Sequence, residues 1–216
     1  MADLPRYGFV KFCGVTNVED ARTVVRAGAD ALGLNFATSP RRLSRDEARV
    51  IVDATNGDLL RCAVFDDVPD DEILDTLDDL TIEIVQLHGE IGAALLGSLR
   101  QRNVLIVKAI NIESDEFATF DDARVDAVLI DGPRPGSGTA HSWDRLAGRR
   151  FHVPLIAAGG LTPLNVTDTI RETKSWGVDC ASGVEASARS KDAALITDFV
   201  ARARGAFTAM GETRVN

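Results

Sequence analysis

Short apolar runs alternate with amphipathic stretches along the whole chain. The runs predict strands at 9–12, 31–36, 61–65, 82–87, 104–110, 127–130, 153–157 and 177–180. Most read as unbroken Val/Ile/Leu segments, the pattern of a parallel sheet covered on both faces. Between them a 3.6-residue period predicts helices at 18–27, 45–55, 70–77, 92–101, 115–120, 143–146, 163–173 and 191–204. Thr16 with Glu19 and Ser44 with Glu47 have the spacing of capping boxes. Thr162 before Pro163 reads as an N-cap followed by the first helical position, and Ser190 as the cap of the last helix. Eight strands in strict alternation with eight helices predict an α/β chain closed into one (β/α)8 TIM barrel. The barrel spans 1–216 as a single domain, with 205–216 expected to fray as a tail.

In such a barrel the chemistry sits at the carboxyl ends of the strands. The first strand ends in Cys13-Gly14 and the second in Ser39-Pro40-Arg41-Arg42. The fourth ends in Gln86-Leu87-His88-Gly89, the sixth in Asp131-Gly132. Gly159-Gly160 and Ser182-Gly183 follow the seventh and eighth, the usual place of a phosphate. Glycines there let a phosphate approach backbone N–H groups. The glycines of 136–138, Gly138 among them, close the same mouth from the sixth strand's loop.

Free cysteine is more often core than chemistry. Cys62 and Cys180 lie inside apolar runs and read as core. Cys13 stands at a strand end beside a glycine, where a thiolate serves as base or nucleophile. Lys11, two residues back, falls on the same face and favours that thiolate. Asp131 ends an apolar strand, a costly place for a carboxylate without a use. A thiol and a carboxyl across one mouth make an acid–base pair. Arg41 offers a fork for a carboxylate or a phosphate. His88 reads equally as a titrating group and as a loop hydrogen bonder.

Charge narrows the partners. The chain carries 33 acidic against 24 basic residues, a net −9, with no basic stripe to neutralise a nucleic-acid backbone. Lysine stands only at 11, 108, 174 and 191. No apolar run is long enough to span a bilayer. The three cysteines form no CxxC pair and no zinc spacing. Free thiols and the lack of a signal-like opening predict the cytoplasm.

Taken in order, Lys11-Phe12-Cys13-Gly14-Val15-Thr16, Ser39-Pro40-Arg41, Gln86-Leu87-His88-Gly89, Asp131, Gly136-Ser137-Gly138, Ala158-Gly159-Gly160-Leu161 and Ser182-Gly183-Val184-Glu185 resemble the phosphoribosylanthranilate isomerases over about 9–204. The chain departs from them in a short sixth-strand loop, in His141-Ser142-Trp143 and in Ala181. The resemblance implies an Amadori rearrangement of a sugar phosphate in tryptophan biosynthesis. It implies Asp131 as general acid and Cys13 as general base. It implies Arg41 on the anthranilate carboxylate, the phosphate on Gly138, Gly159, Gly160, Ser182 and Gly183, and neither metal nor cofactor. A monomer or a homodimer fits a small barrel of this kind. The alternatives are another sugar-phosphate isomerase or epimerase, and a non-catalytic phosphate binder.

Overall fold

The structure is a computed structural model, and it describes residues 7–132 and 143–213. Eight parallel strands close into a barrel: β1 (Phe9–Cys13), β2 (Ala31–Asn35), β3 (Leu60–Phe65), β4 (Ile84–Leu87), β5 (Leu105–Asn111), β6 (Ala127–Asp131), β7 (Leu155–Ala157) and β8 (Gly177–Cys180). Each strand pairs with the next, and β1 pairs with β8 through Phe9↔Gly177 to Phe12↔Cys180. The expected fold and strand order are therefore observed.

Seven α-helices are described: α1 (Val18–Arg26), α2 (Arg45–Ala54), α3 (Asp70–Asp79), α4 (Ala93–Gln101), α5 (Glu116–Thr119), α6 (Val166–Thr173) and α7 (Ala193–Thr213). The helix expected at 143–146 is a 3-10 turn at Asp144–Leu146. α7 runs well past Arg204, because Ala206 and Phe207 are buried and Phe207 packs edge-on to Tyr7 at 5.1 Å. That corrects the frayed tail for 205–213; residues 214–216 lie outside the described residues. No helix among the described residues is long and apolar enough to cross a membrane.

The caps follow local chemistry only in part. Ser44 and Glu47 form the expected capping box. At α1 the cap is Asn17, which accepts from Asp20 N at 2.8 Å, while the Thr16 hydroxyl donates to Arg189 O. α6 begins at Val166 because Thr162 and Asn165 bond each other in a turn: Asn165 Oδ1 accepts from Thr162 N. At α7 it is Asp192, not Ser190, that accepts from Ala194 N and Leu195 N.

Strand alternation sorts the side chains into two layers. Val10, Phe12, Leu32, Leu34, Val128 and Ile130 face outward and pack under the helices. Phe9, Ala31, Cys62, Val64, Ala109 and Leu129 fill the barrel interior. Small residues dominate that interior, which leaves room for three polar side chains, Lys11, Gln86 and Asp179, in its upper part. Cys62 and Cys180 are fully buried, as expected of core thiols.

Candidate active site

The carboxyl ends of the strands enclose a cavity of about 370 Å³. Cys13, Arg41, His88, Asp131, Gly159, Gly160, Ser182 and Gly183 all line it. Eight of the nine expected site residues thus meet in one place. Gly138 and its glycine loop lie outside the described residues.

Cys13 ends β1 facing the cavity and keeps part of its surface exposed. Its Sγ rests over Gly33 of β2, where a Cβ would come within 3.0 Å. Burial pushes the thiol above its ordinary pKa; Lys11, Lys191 and Arg41 pull it down, and Asp179 works with burial. Lys11 shares the face of Cys13, as its spacing predicts. Its ammonium is buried and donates to Asp179 Oδ2 at 2.8 Å and Gln86 Oε1 at 3.0 Å. Burial is the largest single influence and works against that charge, but Asp179 together with Cys13 and Cys62 outweighs it and holds the ammonium protonated. Lys11 favours the thiolate without overcoming the desolvation of Cys13.

Asp131 ends β6, which is separated from β1 by two strands, β7 and β8. Its Oδ1 is buried and has no hydrogen-bond partner among the described residues. Burial first, and the Asp179 charge second, push its carboxyl up to about 7. A backbone hydrogen bond from Gly132 and the Lys11 charge pull it back only in part.

Gly159 explains how Asp131 is seated. Its φ of +86° belongs to glycine, and a Cβ there would fall 2.6 Å from Asp131 Oδ1 and 2.3 Å from Gly132 N. Gly159→Ala should therefore displace Asp131 and destabilise the fold by about 1–3 kcal/mol, read as a lower urea midpoint. A shift below about 0.5 kcal/mol would contradict this packing. In the next loop Ser182–Val184 form a 3-10 turn packed so closely on Leu161 O that no side chain fits at Gly183.

Arg41 lies in the loop between β2 and α2, with its stem over Gly14. Its fork is already engaged: Nε donates to Glu185 Oε1 at 2.6 Å and Nη2 to Glu185 Oε2 at 2.7 Å. Arg42 is more exposed and faces Glu72 on the surface. His88 sits 3.3 Å from Gln86 Nε2, and burial with Lys108 and Lys11 holds its pKa below the ordinary value. It is neutral at pH 7 and its ring meets a side chain, not a loop backbone.

Sequence reasoning missed Asp179 and Lys191. Asp179 lines the cavity and has an unpartnered buried Oδ1 among the described residues. The signal was a carboxylate alternating with Val178 inside an apolar strand. Lys191 Nζ donates to Cys13 O and Ala181 O, each at 2.8 Å, and to Glu185 Oε1 at 3.1 Å. No local pattern marks it. Among the described residues no group of three His, Cys, Asp or Glu side chains is set to hold a metal ion.

Comparison with known proteins agrees with this geometry. The family model described as N-(5'phosphoribosyl)anthranilate (PRA) isomerase matches residues 10–202. The N-(5'-phosphoribosyl)anthranilate isomerase of Geobacter sulfurreducens is 35% identical over 204 residues, 91% of this chain and 98% of its own. The solved phosphoribosyl anthranilate isomerase of Thermotoga maritima superposes with a TM-score of 0.83 at 33% identity, over 91% of this chain and 98% of its own. That isomerase is dimeric. Another solved isomerase, 32% identical with a TM-score of 0.79 over 91% of this chain and 98% of its own, holds reduced 1-(o-carboxyphenylamino)-1-deoxyribulose 5-phosphate. With its barrel, its strand-end residues and a family match along nearly its full length, the chain belongs to the N-(5'-phosphoribosyl)anthranilate isomerase family.

Proposed function

We propose that Asp131 and Cys13 divide the two proton transfers of the family's isomerisation of N-(5-phosphoribosyl)anthranilate. Asp131 as carboxylic acid protonates the furanose ring oxygen. The C1–O bond breaks as the anthranilate nitrogen lone pair forms a Schiff base. Cys13 as thiolate then takes the C2 proton, and the electrons run to the nitrogen to give an enolamine. Tautomerisation adds a proton at C1 and releases one from the C2 hydroxyl, so the sum is 1-(2-carboxyphenylamino)-1-deoxyribulose 5-phosphate with no net proton. Neither transfer needs a cofactor.

One observation carries this assignment: a carboxyl that titrates near 7 and a thiol at a strand end line the same cavity. Near pH 7 a proton is therefore on hand at Asp131. The glycine loops at 159–160 and 182–183 fit the substrate phosphate, and Arg41 fits the ring carboxylate. His88 lines the wall as a neutral ring. Three free thiols suit a cytoplasmic protein, and the assembly is a monomer or a homodimer.

The test is the fluorescence of the anthranilate adduct. Catalytic amounts of protein should speed its loss, turning over many equivalents. A binder would change the signal only in proportion to protein, and a different sugar-phosphate isomerase or epimerase would leave it unchanged. Either of those results would sink the assignment.

A further inference from the structure

We propose that the segment after β8 is a clasp that positions Arg41 for the substrate's ring carboxylate, with Arg189 as its positioning residue. The inference rests on the assignment of that carboxylate to Arg41. The segment is a small antiparallel hairpin, β9 (Glu185–Ser187) and β10 (Ser190–Lys191), standing between the barrel and α7.

Two of its side chains converge on the Arg41 loop, and a third anchors one of them to the barrel. Glu185 takes Nε and Nη2 of Arg41 in a two-point fork. Such a fork sets the plane of a guanidinium as well as its position. Lys191 ties Glu185 to the carbonyls of Cys13 and Ala181, so the fork is referenced to the ends of β1 and β8. Arg189 Nη1 donates to Pro40 O at 3.2 Å and to Arg42 O at 3.0 Å. Those are the carbonyls on either side of Arg41. The hairpin therefore holds Arg41 by its head through Glu185 and by its backbone through Arg189.

The backbone of Arg189 supports a specific use for its side chain. Its φ is +68°, in the left-handed region that favours glycine. An arginine here is strained, and strain of this kind collects where the surroundings hold a residue for a purpose. The hold is visible: the Thr16 hydroxyl donates to Arg189 O at 2.8 Å. The Arg189 side chain is 42% exposed, and besides the two carbonyls it meets only Glu47 at the surface, 3.8 Å from Nη2, among the described residues. A loop already ordered around Arg41 loses less freedom when the carboxylate binds, so part of the affinity for that group comes from outside the cavity.

The ligands for the test are reduced 1-(o-carboxyphenylamino)-1-deoxyribulose 5-phosphate and the same compound without the ring carboxylate. Dissociation constants are measured for the wild type, Arg189→Gly, Arg189→Lys and Arg41→Ala. Glycine is relaxed at this φ, so Arg189→Gly removes the guanidinium without straining the hairpin. It should weaken the carboxylate ligand by about fivefold and the other by less than about twofold, and Arg189→Lys should restore part of the difference. Equal weakening of both ligands, or of neither, overturns the clasp. Arg41→Ala separates the two levels. If it weakens both ligands equally, the carboxylate assignment of Arg41 fails. If it is selective while Arg189→Gly is not, only the clasp fails.

Discussion

Cys13→Ser should lower kcat/KM by about two to four orders of magnitude, measured by the loss of adduct fluorescence. Serine keeps the size of the side chain and its place over Gly33, so packing at the end of β1 is undisturbed. What it lacks is an accessible anion. The Cys13 thiol is pushed up by burial, yet Lys11, Lys191 and Arg41 all work to bring the thiolate back within reach. A hydroxyl in the same field stays protonated, and the C2 proton has no acceptor. Cys62 does not substitute, because full burial in the barrel interior pushes it up to about 12. A near-normal rate in Cys13→Ser would remove Cys13 from the mechanism.

Asp131→Asn should cost a similar factor of about two orders or more, because the amide has no proton to give the ring oxygen. It should also change the shape of the pH profile. In the wild type the carboxyl titrates near 7 and the thiol well above it. Between those values the dominant state is carboxylate with thiol, and the working state, carboxylic acid with thiolate, is a minority of equal proton count. kcat/KM then rises through about 7, runs flat, and falls above the thiol's value. Without Asp131 the residual rate follows the thiolate alone and has no falling limb. A variant that keeps both limbs would refute the assignment of the acid.

The same substitution has an opposite effect on stability. The folded-state pKa of Asp131 is raised from 3.8 to about 7, so the native state holds its proton while the unfolded chain gives it up. Stability therefore falls as pH rises between those values. Asp131→Asn removes that loss and should be more stable than the wild type at pH 8 by at least about 1 kcal/mol in urea unfolding. Poor solvation of the carboxyl serves the reaction and weakens the fold, as is common at active sites.

Legibility in the sequence followed the range of the interactions. The strands were readable because parallel strands buried on both faces need unbroken apolar runs. The Ser44–Glu47 box was readable because both partners lie within one turn. The Thr16 box failed because Thr16 has a distant partner in Arg189. α7 was cut short at Arg204 because nothing local shows that Phe207 packs on Tyr7. Eight candidate residues were placed by a simple rule, that barrel chemistry gathers at the carboxyl ends of strands, and the cavity contains them.

What the amino-acid order determined alone was the alternation of strand and helix, the closed barrel, and the identity of the thiol, the carboxyl and the glycine loops at its mouth. These depend on periods of two and 3.6 residues and on turn chemistry, all of which act within a few positions. Tertiary structure decided the charge state of the pair. The carboxyl is raised by burial and by Asp179, a residue on another strand, and the thiol is raised by burial against the pull of three cations from three parts of the chain. It also decided how Arg41 is held, since Glu185, Arg189 and Lys191 reach it only after the barrel has brought β8 back beside β1. Desolvation and Coulomb interaction depend on distance in space, and distance in space is set by closure of the sheet.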